Sequence, residues 1–185
     1  KRLEGEIQIS GAKNAALPLM ASTILAGGKH RFENVADLKD ILTMAELLKK
    51  LGAKVDLKRL ESEKTLEIDT TEIKSQRAPY ELVKTMRASI LVLGPLYARF
   101  GYAEVSFPGG CAIGARPVDL HLKGLEMLGA KVNVEHGYIY AEKQAAQASE
   151  IAFDIVTVTG TENVMMAAMF TPGKTVLLNA AQEPE

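Results

Sequence analysis

The chain has 185 residues, of which 47% are hydrophobic and 24% are charged, a composition typical of a globular protein with one or two cores. A formal net charge of -1 argues against a nucleic-acid-binding or membrane-surface protein, so a bound anion requires a local cluster of cations. The single cysteine excludes an internal disulfide, and the longest uncharged apolar run (88–98) is far shorter than the ~20 residues that span a bilayer. A start without Met and an end directly after Pro184 predict an excerpt of a longer protein.

The first part of the chain predicts alternating strands and helices. The apolar spacing predicts a strand at 6–10, a buried helix at 15–26, a strand at 30–35, an amphipathic surface helix at 37–51, and a strand pair at 54–57 and 65–68. Gly52 follows the surface helix at the position where a left-handed backbone commonly ends a helix.

The same order of elements recurs further along the chain. The sequence Leu-Gly-Ala-Lys-Val at 51–55 is repeated letter for letter at 128–132, each time between a predicted surface helix and predicted strands. A second apolar helix opens near Thr85, and a third unit begins near Ile151. The repeats predict three units of the order strand, buried helix, strand, surface helix, strand, strand, at 5–70, 76–142 and, truncated, 150–185. The predicted fold is α/β, with the apolar helices packed together inside sheets and outer helices.

The segment 106–120 carries the least ordinary residues of the chain. It holds Cys111, the only cysteine, among three glycines and two prolines, so it is predicted to be a loop. The neighbouring Arg116 would favour the thiolate of Cys111 and could hold a phosphate or carboxylate with two hydrogen bonds. These features favour a reactive thiol beside an anionic substrate; the alternative is a small buried hydrophobic residue.

Charged and polar residues stand at the predicted starts of the buried helices. The equivalent turns carry Lys13 and Asn14 in the first unit, Arg87 in the second, and Glu162 with Asn163 in the third. Helix N-termini attract anions, so three of them that converge would form a phosphate-binding floor. The alternative is that Lys13 and Arg87 are solvated surface charges.

Two residues at the start of the helix after the loop are further candidates. Asp119 is predicted either to cap this helix or to contact a ligand, and His121 is predicted to reach the same site. His30 and His136 lie in strand-like runs and are predicted at the surface. No Cys/His spacing predicts a metal, and the glycine-rich loop matches neither the Walker nor the dinucleotide fingerprint, so no cofactor is expected.

Four stretches make the chain closely similar to the UDP-N-acetylglucosamine enolpyruvyl transferases, which are bacterial 1-carboxyvinyltransferases. They are 11–18 (Gly-Ala-Lys-Asn-Ala-Ala-Leu-Pro), 84–89 (Lys-Thr-Met-Arg-Ala-Ser), the cysteine loop with its helix start at 108–121, and the closing 179–185. The resemblance implies transfer of the enolpyruvyl group of phosphoenolpyruvate to the 3-hydroxyl of UDP-N-acetylglucosamine with release of phosphate, the first committed step of peptidoglycan synthesis. It also implies an inside-out α/β barrel of βαβαββ units, one lobe of a two-lobed enzyme whose second lobe lies beyond Glu185.

The resemblance further implies roles for individual residues. Cys111 matches the proton donor to phosphoenolpyruvate that the antibiotic fosfomycin alkylates, and Lys13 matches a lysine that contacts phosphoenolpyruvate. Asn14 is implied at the sugar, and Arg87 and Arg116 at the anion site. The residues implied along the UDP-sugar are Arg116, Pro117, Val118, Asp119, Leu120, Thr157 and Val158.

The resemblance leaves part of the site and two other functions open. Ile155 stands where the family often has lysine, which removes one possible contact. The general base is expected in the second lobe, so the 185 residues alone are expected to be inactive. The enzyme is expected in the bacterial cytoplasm, in cell-wall biogenesis, cell shape and cell division, without a nucleic-acid or membrane partner. The alternatives are a transferase like 5-enolpyruvylshikimate-3-phosphate synthase, against which the cysteine loop argues, and a nucleotide-sugar-binding module or inactive paralogue, which needs no titrating thiol.

Overall fold

The structure is a computed structural model, and it describes residues 2–108 and 118–184. The helices of these ranges are α1 (Lys13–Ala26), α2 (Lys39–Leu51), α3 (Leu60–Glu63), α4 (Tyr80–Val83), a 3₁₀ helix (Arg87–Val92), α5 (Leu93–Phe100), α6 (Asp119–Met127) and α7 (Val158–Ala168). The strands are β1 (Lys29–Phe32), β2 (Lys54–Asp56), β3 (Leu66–Asp69), β4 (Arg77–Ala78), β5 (Tyr102–Ser106), β6 (Ala130–Glu135), β7 (Tyr138–Lys143), β8 (Glu150–Ala152) and β9 (Val176–Leu178). Among the helices described, none combines the length and the apolar character that a bilayer crossing requires.

The strands form three small sheets, each from one contiguous stretch of chain. In the first, β3 lies between β1 and β2 and is antiparallel to both, with Ile68 opposite Val55. In the second, the order is β4-β5-β7-β6; β4 is parallel to β5, and the other pairs are antiparallel, with Val105 opposite Ile139. In the third, β8 and β9 are parallel.

Helices α1, α5 and α7 contact one another at the centre of the structure. Met20 and Ile24 of α1, Leu96 and Tyr97 of α5, and Val164 of α7 are each 2% exposed or less. Helix α2 packs on α1, and α6 packs on α7. The prediction that the apolar helices pack against one another is therefore confirmed, because each of them buries side chains on several faces.

The surface helix of the first stretch ends as predicted. Helix α2 begins at Lys39 and ends at Leu51, and Gly52 follows with a left-handed φ of 113°. The Gly52 N–H donates to the carbonyl of Lys49 at 2.9 Å, which satisfies one of the last carbonyls of the helix.

The predicted strand at 6–10 is wrong for this structure. Residues 6–10 have no regular structure, and Ile7 and Ile9 are 90% and 81% exposed. Among the described residues, β1 has a partner on one side only, and the nearest backbone link is the Gly11 N–H to the carbonyl of Asn34 at 2.9 Å. The alternating sequence lacks the neighbouring strand that would bond its backbone and bury its apolar side chains.

The second predicted apolar helix is interrupted. It begins at Arg87 rather than Thr85, and it runs as a 3₁₀ helix until α5 takes over at Leu93. Pro95 has no N–H to donate to the preceding turn, and Gly94 directs its N–H to a neighbouring helix instead, as described below. The 3₁₀ helix therefore changes to an α-helix close to the two residues that make no backbone hydrogen bond to the preceding turn.

Candidate functional site

Lys13 is the first residue of α1, two positions before the predicted helix start. Its ammonium donates a hydrogen bond to the carboxylate of Asp40 in the first turn of α2, with Nζ 2.7 Å from Oδ2. The side chains are 41% and 35% exposed, so the ion pair is partly solvated. Such a pair contributes at most about 1 kcal/mol to stability, and its larger effect is to hold the ammonium in place. Asn14, the next residue, is exposed.

Arg87 takes the corresponding place in the second unit. It is half-buried and is the first residue of the 3₁₀ helix, so Lys13 and Arg87 both stand at the starts of inner helices, as predicted. The prediction for the third unit is wrong, because α7 begins at Val158. Glu162 and Asn163 therefore lie inside that helix, and they are only 9% and 1% exposed.

The side chain of Asn163 enters the interruption of the neighbouring helix. Its Oδ1 accepts a hydrogen bond from the Gly94 N–H at 2.6 Å, and its Nδ2 donates to the Ile90 carbonyl at 3.1 Å. In an uninterrupted α-helix, the N–H of Gly94 would bond directly to the carbonyl of Ile90, four residues earlier. The Asn163 amide is thus inserted between the two groups. A Cβ at Gly94 would also collide with the backbone carbonyl of Asn163, so no larger residue fits there.

His121, on α6, completes this buried network. It is 2% exposed, with Nδ1 2.9 Å from the Nδ2 of Asn163 and Nε2 3.4 Å from the hydroxyl of Thr159. Burial lowers the pKa of the imidazole from 6.5 to about 4, and the positive charge of Arg87 adds to this effect. His121 is therefore neutral at pH 7, and it lies below the surface in contact with α7.

The start of α6 offers a ligand few exposed side chains. Val118 and Leu120 are buried in the core, at 4% and 8% exposure, whereas Asp119 is exposed. The prediction that Asp119 caps the helix is wrong: Val118 holds the capping position, and its side chain makes no capping hydrogen bond. The carboxylate of Asp119 lies in the first turn, where the helix dipole favours a negative charge.

Thr157 and Val158 form the start of α7. The hydroxyl of Thr157 accepts the N–H of Gly160 at 3.2 Å, which makes Thr157 the N-cap, and Val158 is the first helical residue. Ile155, which stands in the place of the family's lysine, is 58% exposed.

Three predicted site residues, Cys111, Arg116 and Pro117, lie outside the described residues. The reactive thiol therefore stays a prediction. Within 2–108 and 118–184, no group of His, Cys, Asp and Glu has the arrangement of a metal site.

A groove of about 590 Å³ lies on the sheet β1-β3-β2, away from the predicted site residues. Its lining mixes four cations with three carboxylates, as is typical of a solvated sheet face: Lys29, Arg31, Lys54 and Lys58 with Asp56, Glu67 and Asp69. His30 lines this groove and is half-buried rather than at the surface as predicted, whereas His136 is exposed as predicted. We assign no function to this groove.

The comparisons with known proteins identify the family. All 185 residues match the family model of EPSP synthase (3-phosphoshikimate 1-carboxyvinyltransferase). The chain belongs to the EPSP synthase family. The structure is similar to the enolpyruvyl transferase NikO from Streptomyces tendae, with a TM-score of 0.79 and 20% identity over 95% of this chain and 41% of that one. It is also similar to an EPSP synthase from Acinetobacter baumannii, with a TM-score of 0.72 and 15% identity over 98% of this chain and 40% of that one. These likenesses show that the mixed α/β fold of the family is present.

Two curated relatives confirm the resemblance found in the sequence. The chain is 60% identical over 185 residues to the UDP-N-acetylglucosamine 1-carboxyvinyltransferase of Desulforapulum autotrophicum. It is 57% identical over 183 residues to the enzyme of the same name from Thermodesulfovibrio yellowstonii. The two matches extend over 100% and 99% of this chain but over only 43% of each relative. The chain thus spans less than half the length of these relatives.

Sequence reasoning missed one residue near the candidate site, Asp40, and placed another, Asn163, at a helix start rather than inside the helix. Asp40 holds the ammonium of Lys13, and nothing in its helical context distinguishes it from a surface carboxylate. Asn163 joins two helices, and the available signals were an amide in an apolar helix and the pair Gly94-Pro95 in an apolar run. Both partners are far away in the chain, 27 residues for Lys13 and Asp40 and 69 for Gly94 and Asn163, so local patterns do not reveal them.

Proposed function

We propose that the whole protein is a UDP-N-acetylglucosamine 1-carboxyvinyltransferase. It transfers the enolpyruvyl group of phosphoenolpyruvate to the 3-hydroxyl of UDP-N-acetylglucosamine and releases phosphate. The observation that carries the proposal is the 60% identity, over all 185 residues, to a relative of that name. The positions of Lys13 and Arg87 at the starts of two contacting helices support it, because phosphoenolpyruvate carries a phosphate and a carboxylate.

The reaction assigns a task to each cation and to the thiol. The sugar hydroxyl adds to C2 of phosphoenolpyruvate while C3 gains a proton, and loss of phosphate with a proton from C3 then restores the double bond. We assign the proton donated to C3 to the Cys111 thiol, and the anionic groups to Lys13, Arg87 and Arg116. The base for the sugar hydroxyl is assigned to the part of the protein outside these 185 residues.

The nucleotide sugar is assigned to the starts of α6 and α7. We place it along Arg116, Pro117, Val118, Asp119 and Leu120 and at Thr157 and Val158, with Asn14 at the sugar. Exposed Asp119 and Asn14 can contact it through their side chains, whereas buried Val118 and Leu120 have only backbone groups to offer. His121 is also buried, so we assign it an indirect role.

The fold and the biological setting form part of the same proposal. The contacts among α1, α5 and α7 support an inside-out α/β barrel of three units, at 5–70, 76–142 and 150–185, as one lobe of two. A role in peptidoglycan synthesis, and through it in cell shape and division, follows from the proposed reaction, as does a cytoplasmic location. Fosfomycin is proposed as a covalent inhibitor at Cys111.

Phosphate release by the full-length protein tests the function. We expect release that requires both phosphoenolpyruvate and UDP-N-acetylglucosamine, and we expect Lys13→Ala to lower kcat/KM by about 100-fold or more, the usual effect of removing a group that stabilises developing charge. Lys49→Ala is the matched control, because Lys49 makes an exposed ion pair with Glu46 at 2.8 Å in the last turn of α2, whereas Lys13 pairs with Asp40 in the first turn. No release with both substrates present would contradict the proposal.

Intact mass measurement tests the role of Cys111. After incubation of the full-length protein with fosfomycin, we expect one adduct that maps to Cys111 and forms faster when UDP-N-acetylglucosamine is present. The Cys111→Ala variant provides the control and should gain no mass. If the parent protein gains none either, the thiol is unreactive, and a nucleotide-sugar-binding module or inactive paralogue becomes the better description.

The family model favours one alternative reaction. Because it describes EPSP synthase, the acceptor could be shikimate 3-phosphate instead of the nucleotide sugar. The same assay decides this: release of phosphate with shikimate 3-phosphate, and none with UDP-N-acetylglucosamine, would establish the alternative.

A further inference from the structure

The Asn163 amide has a fixed orientation. Its Oδ1 faces the Gly94 N–H, which can only donate, and its Nδ2 faces the Ile90 carbonyl, which can only accept. Exchange of the amide oxygen and nitrogen would place donor against donor and acceptor against acceptor, in a site that is 1% exposed. One N–H of Nδ2 therefore remains, and His121 lies on that side.

This orientation determines which ring nitrogen of His121 carries the proton. The second N–H of Asn163 points to Nδ1 of His121 at 2.9 Å, so Nδ1 must accept, and the proton of the neutral ring lies on Nε2. The Nε2–H then donates to the hydroxyl of Thr159 at 3.4 Å. A chain of hydrogen bonds thus runs from the inner helix of the second unit, through Asn163 and His121, to the first turn of α7.

The end of this chain lies beside residues with a proposed ligand role. Thr159 follows Thr157 and Val158, and α6 presents Asp119 two residues before His121. The charge of Arg87, at the start of the 3₁₀ helix, also acts on the imidazole. His121 is therefore connected with the proposed anion site and with the proposed nucleotide-sugar site, although it is buried.

We propose that Asn163 and His121 are positioning residues for the nucleotide sugar: Asn163 selects the Nε2–H tautomer of His121, and this tautomer holds Thr159 and the first turn of α7. The inference rests on the proposed function, since it assumes that Thr157 and Val158 meet the acceptor substrate. It assigns Asn163 a role that the repeat pattern does not suggest, because the equivalent Asn14 is exposed.

Two substitutions of His121 in the full-length protein separate this role from simple core packing. His121→Gln places an amide where Nε2 lies and keeps a donor for Thr159, whereas His121→Asn places an amide where Nδ1 lies and loses that donor. We expect KM for UDP-N-acetylglucosamine to rise about three- to ten-fold more in His121→Asn than in His121→Gln, the effect of one hydrogen bond, with KM for phosphoenolpyruvate little different between the two. Equal KM values for the sugar in both variants would overturn the inference and leave the proposed function intact.

Nitrogen NMR of the ¹⁵N-histidine-labelled full-length protein tests the tautomer without any activity. We expect one imidazole, assigned by its loss in His121→Gln, to show the Nε2–H form at pH 7 and to stay neutral at pH 5.5. In Asn163→Asp, whose carboxylate can only accept, we expect the proton on Nδ1. If the parent shows Nδ1–H or a protonated ring at pH 5.5, the tautomer assignment is wrong. An inactive parent would contradict the proposed function alone, and the parent spectrum decides the tautomer even if Asn163→Asp does not fold.

Discussion

His121 shows how the fold keeps an imidazole neutral by enclosing it near a guanidinium. Its pKa is lowered from 6.5 to about 4, first by burial and then by the charge of Arg87. Between these two values the unfolded chain binds a proton that the folded chain rejects. The stability that comes from His121 is therefore fully present above about pH 6.5, and it is lost as the pH falls toward 4.

The pH dependence of unfolding checks this lowered pKa. From pH 7 to pH 5, we expect the free energy of unfolding of the parent to fall by about 2 kcal/mol more than that of His121→Gln. Urea unfolding of both proteins at the two pH values measures the difference, and the same substitution at the exposed His136 is the matched control. Parallel curves for the parent and His121→Gln would show that the imidazole titrates alike in both states.

The ion pair of Lys13 with Asp40 allows two effects to be tested separately: the placement of the Lys13 ammonium and the stability of the fold. Because both side chains are about 40% exposed, we expect Asp40→Asn to change the free energy of unfolding by less than about 1 kcal/mol. We expect it to lower kcat/KM for phosphoenolpyruvate by about ten-fold, because the ammonium is no longer held at the helix start. Unfolding and steady-state assays of the full-length protein measure the two effects.

Glu46→Gln provides the control for Asp40→Asn on the same helix. Glu46 pairs with Lys49 at 2.8 Å on the exposed side of α2, so its loss removes a similar ion pair far from Lys13. If Asp40→Asn and Glu46→Gln have equal kinetics, Asp40 does not position the ammonium.

At the scale of elements, the contact between α6 and α7 depends on a glycine. A Cβ at Gly124 would collide with a methyl group of Val164, which is fully buried, so the two helices approach more closely there than side chains allow. This close approach brings His121 on α6 within reach of Asn163 and Thr159 on α7. The glycine thus serves the packing of the site rather than a turn.

Gly124→Ala tests this contact. The overpacking costs about 1–3 kcal/mol, partly offset by about 1 kcal/mol from the better helix propensity of alanine, so we expect a net loss of up to about 2 kcal/mol. Thermal unfolding measures it, with Lys123→Ala as the exposed neighbour for comparison. Val164→Ala removes the obstructing methyl group, so the double variant should lose less than the sum of the single losses. Strict additivity would show that the two side chains do not meet.

At the scale of the whole molecule, several large apolar side chains have no cover in the described structure. Leu3, Ile7 and Ile9 near the start are 96%, 90% and 81% exposed, and Met169 and Phe170 after α7 are 63% and 50% exposed. The chain spans 43% of the relatives named above, and the proposed reaction needs a base that we place outside it. We therefore expect the 185 residues to bind substrate and only the longer protein to turn it over.

Assays of the 185-residue chain test that division. We expect weak binding of UDP-N-acetylglucosamine and no phosphate release, because the proposed cations and nucleotide-sugar residues lie in this chain, whereas we place the general base outside it. Isothermal calorimetry and the phosphate assay measure the two quantities, with the full-length protein as control. Phosphate release by the short chain would place the base among these residues.

Local patterns in the sequence predicted a structural feature correctly where that feature depends only on residues nearby in the chain. Periodicity and capping rules suffice for features that depend on neighbouring residues. These features are the apolar helices, the end of α2 at Gly52, and the positions of Lys13 and Arg87 at helix starts. The strand at 6–10 failed because a strand also requires a partner, which a local pattern cannot supply.

By itself, the sequence determined the class of fold, the recurrence of Leu-Gly-Ala-Lys-Val and the family resemblance, and it supplied the residue types of the proposed site, since these are properties of order and spacing along the chain. The tertiary structure alone decided that His121 is buried and neutral, that Asn163 replaces a backbone bond between Ile90 and Gly94, and that Asp40 holds Lys13. Each of these depends on groups 27 or more residues apart that only packing brings within hydrogen-bond distance, and burial then makes an unsatisfied or charged group costly.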